Sequence, residues 1–254
     1  MLAQEPSSFA TEINAPSARL LALEARAVAE LPLFVLRTRS LRGLPRGDGH
    51  PVIIIPGFGA DDLASIPLRH VLTRLGYSAY GWGQGRNLGM RPRTKVALAQ
   101  MLKRLSAQHD ARITLVGWSL GGIFAREMAR HQPELVRRVF TLGSPFTGSP
   151  DANNMQMLFR LANRGKPVRN DREGFERRRR APPVPCVAIH SKTDGMVAWR
   201  CSVEEPSPST ENIEVRGSHF GLLFNYEVLR ALAERLPLPP DERHDFAAGK
   251  VRSS

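Results

Sequence analysis

Long apolar runs are absent from this chain of 254 residues, and no run of about 18 or more apolar residues occurs that could cross a membrane. The first residues also lack the basic stretch followed by an apolar one that marks a secretory signal, so we expect a cytoplasmic protein. Cysteine is nearly absent, with only Cys186 and Cys201. We expect both to stay free thiols in a reducing compartment, with a disulfide between them as the alternative.

Acidic side chains are in short supply, and 36 Lys and Arg against 24 Asp and Glu give a formal net charge of +12. The densest basic run is Arg177–Arg180. No zinc-finger spacing, helix-turn-helix pattern or aromatic-rich RNA-binding strand accompanies this charge, so we expect no nucleic-acid partner. We interpret the excess as a solvated basic face, with attraction to an anionic membrane or an anionic substrate as the alternative.

What the chain does have is a regular alternation of apolar runs with segments of helical periodicity. Val52–Ile55 is a short, continuous apolar run, typical of a parallel strand that is buried on both faces. Because strands alternate with helices, we predict an α/β fold: a mostly parallel sheet of about six strands flanked by helices. The predicted strands are 52–55, 76–80, 113–116, 136–142, 185–190 and 212–216, and the predicted helices are 62–75, 94–106, 120–131 and 226–236.

Two segments flank the predicted α/β domain, which we place at 48–236. Residues 1–47 read as a loose leader followed by an amphipathic helix from Ser17. We expect that helix to dock against its own domain, and the alternative is that it lies on a membrane surface. Residues 237–254 begin with a proline-rich stretch, and we expect a disordered tail.

One interval, 145–183, interrupts the alternation after the fourth strand. It contains Met and Phe side chains over 152–163, which we predict to be its one helix. Such an insertion can fold over the strand ends as a lid and line an acyl pocket. Core packing of that helix without any lid role is equally compatible with its pattern.

The clearest chemical signal is the point where the third apolar run breaks into Gly117-Trp118-Ser119-Leu120-Gly121. A strand, a sharp Gly-x-Ser-x-Gly turn and a helix form the elbow that presents a nucleophilic serine. Gly117 and Gly121 flank the serine because side chains at these positions would collide with the neighbouring strand and helix. We therefore predict that Ser119 is a nucleophile, held in a strained backbone conformation.

A serine hydroxyl needs a general base and a group that orients the base, and in an α/β sheet both come from loops after later strands. Asp194 follows the fifth predicted strand, and His219 lies in the loop after the last one. Of the seven histidines, only His219 occupies that loop. The chain order Ser119, Asp194, His219 is the order that this arrangement requires. The sequence thus predicts a catalytic triad of these three residues.

Catalysis by such a triad also needs two N–H donors for the oxyanion that forms on the substrate. We expect one from the backbone of Leu120 at the start of the elbow helix. The loop after the first strand, 56–60, contains Gly57 and Gly59. These glycines let the backbone turn an amide inward, and we predict the N–H of Phe58 as the second donor.

With these motifs together, the chain resembles the α/β-hydrolase fold superfamily, and within it the bacterial serine esterases and triacylglycerol lipases. The resemblance implies Ser, Asp and His in the roles given above. Two features depart from it: the oxyanion loop opens with Pro56-Gly57 where the family usually has His-Gly, and the family's first two antiparallel strands have no clear counterpart. The motifs that carry the resemblance are 52–59, 117–122, 141–149, 191–195 and 217–221.

The function hypothesis is hydrolysis of carboxylic esters, from a small molecule or a lipid, through an acyl-enzyme on Ser119. This chemistry needs neither a metal nor an organic cofactor, and we expect none. Acyl transfer to an alcohol or thiol is the alternative within the same chemistry. A ligand-binding protein that has lost catalysis on the same fold is the alternative outside it.

Overall fold

The computed structural model describes residues 13–147 and 177–239. Its centre is a sheet of six strands, all parallel, in the order β2-β1-β3-β4-β5-β6. The predicted α/β fold with a parallel six-stranded sheet is therefore confirmed. The strands are β1 Pro51–Ile55, β2 Ser78–Gly81, β3 Ile113–Trp118, β4 Val136–Leu142, β5 Cys186–His190 and β6 Thr210–Glu214.

Helices connect the strands and cover both faces of the sheet. Among the described residues, short 3-10 segments occur at loop positions, and a further one, Leu23–Arg26, separates the first two helices. The α-helices are α1 Ala18–Ala22, α2 Ala27–Arg37, α3 Ile66–Leu75, α4 Pro92–His109, α5 Leu120–His131 and α6 Tyr226–Arg235, and the other 3-10 segments are Asp62–Ser65, Pro133–Leu135, Trp199–Ser202 and Phe220–Phe224.

The core lies in two layers, one on each face of the sheet. Successive side chains of β1 point to opposite faces, as in any strand. Val52 and Ile54 pack against α3 and α6, whereas Ile53 and Ile55 pack against α4 and α5. All five residues of β1 are buried, because helices cover the strand on both sides. This explains why the run is continuously apolar and does not alternate with polar residues.

Two strand starts differ from the prediction by two residues, and the other starts differ by at most one. Strand β2 begins at Ser78, not residue 76, because Gly76 adopts φ +106° and ends α3 with its N–H bonded to that helix. Strand β6 begins at Thr210, two residues early, because Thr210 and Glu211 pair with Cys186 and Val187. The first residues of β6 are polar, because β6 is an edge strand whose side chains are partly exposed, so the apolar pattern in the sequence did not include them.

The N-terminal segment is helical, as its periodicity predicts, but the helix is broken by the 3-10 turn. Phe34 of α2 is buried in the same core layer as α3 and α6. The predicted leader up to residue 12, the insertion helix 152–163 with most of the proposed lid, and the tail from residue 240 lie outside the described residues. Within the described residues, no helix is long and apolar enough to span a membrane.

Cys186 and Cys201 are both free and buried, as predicted. The basic run Arg177–Arg180 contacts α5 chiefly through its backbone, because carbonyl groups of Arg178 and Arg180 accept hydrogen bonds from Arg126 and Arg130. Three of the four side chains in the run are exposed.

Candidate active site

Ser119 stands at the abrupt turn between β3 and α5. Its backbone has φ +54° and ψ −122°, one of two positive φ values among non-glycine residues in the described chain. Such a conformation costs about 1–3 kcal/mol and persists only where the surroundings enforce it. The N–H of Ser119 donates to the carbonyl of Leu142 at 2.8 Å, which ties the turn to the end of β4. The predicted elbow is therefore present.

The two predicted elbow glycines sit where the helix crosses the sheet most closely. A Cβ on Gly117 would overlap the backbone of Gly121 and Gly122, and a Cβ on Gly121 would overlap the carbonyl group of Ile55. Helix α5 thus starts in direct backbone contact with β1 and β3. Any larger side chain at Gly117 or Gly121 would move Ser119 away from the sheet edge.

Asp194 lies in the loop after β5, and its carboxylate is fixed by the backbone around it. Its Oδ1 accepts hydrogen bonds from the N–H groups of Met196 and Val197, both at 2.8 Å. The other oxygen, Oδ2, faces His219. Because Asp194 is only 3% exposed, water does not compete for that second oxygen.

His219 lies in the loop after β6, with its Nδ1 2.6 Å from Oδ2 of Asp194. The indole Nε1 of Trp118 donates to the carbonyl of His219 at 2.9 Å, and the two rings lie 5.7 Å apart. Trp118 immediately precedes Ser119, so this contact brings the imidazole to the elbow. Burial alone would lower the pKa of His219, but the charge and hydrogen bond of Asp194, with the charge of Glu24, raise it above its usual value.

The structure therefore places Ser119, Asp194 and His219 at the same edge of the sheet, and it joins Asp194 directly to His219. Within the described residues, no hydrogen bond joins the Ser119 hydroxyl to the imidazole. Such bonds are often long in enzymes without bound substrate and shorten in the reacting complex. In this structure Trp118 connects Ser119 to His219, because it precedes Ser119 in the sequence and contacts His219.

A second buried histidine, His50, also pairs with an aspartate, but at the wrong end of the sheet. Its Nδ1 contacts Asp48, and its Nε2 lies 2.9 Å from Oγ1 of Thr114. His50 immediately precedes β1, whereas Ser119 follows β3, and parallel strands keep those two ends apart. A His–Asp pair alone does not identify a catalytic site. The pair must also lie at the same end of the sheet as the serine.

The predicted oxyanion loop, 56–60, packs against the elbow. A Cβ on Gly57 would lie 3.0 Å from the indole of Trp118 and 3.1 Å from Cβ of Ser119. Gly59 has φ +76°, which the loop needs in order to turn. Phe58 follows Gly57, and Leu120 is the first residue of α5. Both predicted donors thus belong to segments next to Ser119, and their role stays a prediction.

Asn87 holds this loop, and sequence reasoning missed it. The side-chain Nδ2 of Asn87 donates to the carbonyl of Pro56 at 2.7 Å, and the backbone of Asn87 bonds to Gly59 and Ala60 at 2.7 and 2.8 Å. Asn87 is completely buried. Because every partner is a backbone atom, no side-chain pattern in the sequence signals the contact.

Glu24 is the second residue that sequence reasoning missed. The helical pattern counts it among the charged residues that interrupt the apolar positions of the N-terminal helix. In the structure it is only 6% exposed and contacts both the Asp194 loop and the His219 loop. No group of three or more His, Cys, Asp or Glu that could bind a metal occurs in the described parts of the chain.

Comparison with known proteins agrees with the fold. The family model of the alpha/beta hydrolase fold matches residues 50–184, just over half of the chain. The chain therefore belongs to the α/β-hydrolase fold family. Curated relatives, pimeloyl-[acyl-carrier protein] methyl ester esterases of Yersinia pseudotuberculosis and Yersinia pestis, are 34% identical over 64 residues, which is 25% of this chain and 23% of theirs.

Solved structures extend the likeness over most of the chain. The mature lipase BlEst2 of Bacillus licheniformis superposes with a TM-score of 0.58 and 17% identity, over 77% of this chain and 95% of that one. The monoacylglycerol lipase of Paleococcus ferrophilus gives a TM-score of 0.52 and 16% identity, over 76% and 96%. At such identities the likeness establishes the fold.

Proposed function

We propose that this protein hydrolyses carboxylic esters through a Ser119–His219–Asp194 triad and an acyl-enzyme intermediate. One observation carries the proposal: a serine in a strained strand-to-helix turn lies at the same sheet edge as a buried Asp194–His219 pair with a 2.6 Å contact. A buried carboxylate beside an imidazole is costly to retain unless it orients or stabilises that ring.

The proposed mechanism assigns one role to each group. Asp194 accepts a hydrogen bond from Nδ1–H of His219, which leaves Nε2 of the ring unprotonated and available as a base. Nε2 takes the proton of the Ser119 hydroxyl as its Oγ attacks the acyl carbon. The N–H groups of Phe58 and Leu120 stabilise the oxyanion. His219 then protonates the leaving alcohol and later activates water, which releases the acid and restores Ser119.

Ester substrates are favoured by the names of the relatives. The curated relatives are methyl ester esterases, and the solved structures include two lipases. The curated match covers a quarter of this chain, so it supports the ester class and does not carry over one particular ester. A panel of esters that differ in acyl chain length and in alcohol would identify the preferred substrate.

The test combines active-site labelling with turnover. A fluorophosphonate probe should label the wild-type protein and fail to label Ser119→Ala, and the wild type, unlike Ser119→Ala, should hydrolyse one or more p-nitrophenyl esters in a series from acetate to palmitate. Ser40→Ala, in an exposed loop after α2, is the matched control and should behave as wild type. A folded wild-type protein that neither labels nor turns over would overturn the proposal and favour the binding-protein alternative. Ester formation from an added alcohol, faster than acid release, would favour acyl transfer.

A further inference from the structure

Glu24 bridges the two loops that carry Asp194 and His219. Its Oε1 accepts the N–H of Gly195 at 2.7 Å and the N–H of His219 at 2.9 Å, and its Oε2 accepts the N–H of Phe220 at 3.2 Å. Gly195 directly follows Asp194. One carboxylate from the N-terminal 3-10 turn is thus hydrogen-bonded to the backbone beside both members of the buried pair.

The residues that follow Glu24 run along the same two loops. Near Asp194, the guanidinium of Arg26 donates to the carbonyl of Thr193 at 2.7 Å and to its hydroxyl at 2.9 Å. Near His219, the carboxylate of Glu30 accepts the N–H of Ser218 at 3.0 Å and also its hydroxyl. Contacts to both loops over seven residues define residues 24–30 as a strap across the site.

The fit between the N-terminal segment and the two loops leaves no space for side chains at two positions. A Cβ on Gly195 would overlap the carbonyl of Leu20, just before the strap, and a Cβ on Gly221 would overlap the carboxylate of Glu30 within it. Contacts this close hold the strap at both of its ends. The register of the strap is therefore fixed. A fixed register keeps the Glu24 carboxylate in contact with both loops.

Among these groups, Glu24 differs from Glu30 and Arg26 in its effect on the imidazole. Burial lowers the pKa of His219, and the charges that outweigh it and raise that pKa are those of Asp194 and Glu24. Glu30 and Arg26 lie 3.4 Å apart as an ion pair, and each contacts a residue adjacent to Asp194 or His219. Opposite charges in such an ion pair partly cancel at a distance, whereas within the described residues Glu24 forms no salt bridge.

We propose that Glu24 is a positioning residue of the active site: its carboxylate ties the Asp194 loop to the His219 loop and adds a second negative charge beside the imidazole. The inference rests on the proposed function, because it assigns His219 the role of general base. When His219 takes the serine proton, a positive charge appears on the ring, and both carboxylates stabilise it. Loss of Glu24 therefore reduces the rate without removing any group that touches substrate.

The experiment compares two substitutions that each remove one carboxylate charge. Glu24→Gln keeps the shape of the side chain and one acceptor oxygen but removes the charge. Glu134→Gln makes the same change at an exposed residue of the 3-10 segment Pro133–Leu135, next to the opposite end of β4. Two quantities are measured for each: the acid limb of kcat/KM for a p-nitrophenyl ester, and the pKa of His219 by NMR of the labelled ring.

Glu24→Gln is expected to lower the pKa of His219 and to move the acid limb of the activity profile down by about one pH unit. Its kcat above that limb should fall about tenfold, with KM little changed, because orientation is lost while substrate contacts remain. Glu134→Gln should leave both the limb and the His219 pKa at wild-type values. Glu24→Asp retains the charge on a shorter stem, so it should reduce kcat while largely preserving the limb.

An unchanged His219 pKa in Glu24→Gln, together with an unchanged kcat, would overturn the inference. If Glu24→Gln does not fold, Glu24→Asp still decides the question, because a wild-type kcat in that variant would remove the positioning role. The NMR titration also separates the two proposals. A wild-type protein without esterase activity, whose His219 pKa nonetheless falls in Glu24→Gln, would refute the proposed function and leave the link from Glu24 to His219 intact.

Discussion

Nδ1 of His219 and Oδ2 of Asp194 are 2.6 Å apart, and each residue is no more than 3% exposed. At this separation the carboxylate fixes which ring nitrogen carries the proton. In the proposed mechanism, Nε2 of His219, on the far side of the ring from Asp194, is then the nitrogen that acts as the base for serine. The proposed mechanism thus depends on the charge of Asp194 as well as on its shape.

Asp194→Asn should therefore be far more damaging than its size suggests. The amide fills the same space, but its NH2 group would face Nδ1, and the ring would turn to the wrong tautomer. We expect kcat/KM to fall by about 10³ to 10⁴ with a nearly unchanged circular dichroism spectrum. Asp61→Asn is the control, because the Asp61 side chain caps the 3-10 turn before α3 and an asparagine can do the same. A wild-type rate in Asp194→Asn would exclude this aspartate from the triad.

Gly143 lies against the buried pair and carries no side chain. A Cβ there would lie 3.0 Å from Oδ2 of Asp194, 3.1 Å from Nδ1 of His219 and 2.7 Å from Leu222, and its backbone has φ +55°. Gly143→Ala should separate the two side chains and reduce kcat/KM at least tenfold. It should also lower the free energy of unfolding by about 2 kcal/mol.

Backbone strain and steric contact can be separated with a second glycine. Gly43 has φ +81°, and no heavy atom lies within 4 Å of the position that a Cβ would take there. Gly43→Ala thus introduces strain alone, and it should lower the free energy of unfolding by about 1 kcal/mol while leaving kcat/KM unchanged. Equal activity losses in the two variants would show that contact with Asp194 and His219 is not the cause.

The order of strands and helices could be predicted from the sequence because it depends on local patterns. Continuous apolar runs such as β1 show burial on both faces, and the order of Ser119, Asp194 and His219 along the chain follows from the positions of strand ends. Parallel strands bring those ends to one edge, so residues far apart in sequence meet without any direct signal between them. This is why three loop residues could be singled out from sequence.

Glu24 could not be found in this way, because its partners are 171 and 195 residues away and are backbone N–H groups. In the sequence it is one of several charged residues that break an amphipathic helix. Its burial depends on how the N-terminal segment crosses the sheet edge, and that crossing is set by packing at Gly195 and Gly221. A contact between a side chain and distant backbone leaves no trace in composition, periodicity or spacing.

Helix α2 presents an apolar face to solvent. Val28, Leu31, Val35 and Leu36 are all exposed, Val28 by 83%. Exposed arginines precede and follow this face along a chain of net charge +12. An amphipathic helix with basic flanks binds anionic bilayers. The exposed arginines are Arg19, Arg37, Arg39 and Arg42.

We therefore predict that the protein co-sediments with phosphatidylglycerol vesicles and not with phosphatidylcholine vesicles, and that salt weakens the binding. The double variant Val28→Glu/Val35→Glu should reduce binding at least tenfold. Leu63→Glu, at a similarly exposed leucine on the 3-10 turn before α3, is the control and should bind as wild type. Binding that is unaffected by the double variant would place the membrane contact elsewhere or attribute it to net charge alone.

Asn87 offers a test of the oxyanion loop that does not touch the triad. Asn87→Asp removes the N–H that holds the carbonyl of Pro56 and places a negative charge against that carbonyl. A buried acceptor then loses its partner, which costs about 1–3 kcal/mol, and the loop that carries Phe58 shifts. We expect kcat to fall about tenfold or more, with KM nearly constant, because the proposed role of the Phe58 amide is to stabilise the oxyanion more than the bound ester. Gln84→Glu makes the same amide-to-carboxylate change at an exposed position of the loop that contains Asn87, and it should keep the wild-type kcat. If Asn87→Asp folds and keeps a wild-type kcat, the loop at 56–60 does not supply the second donor.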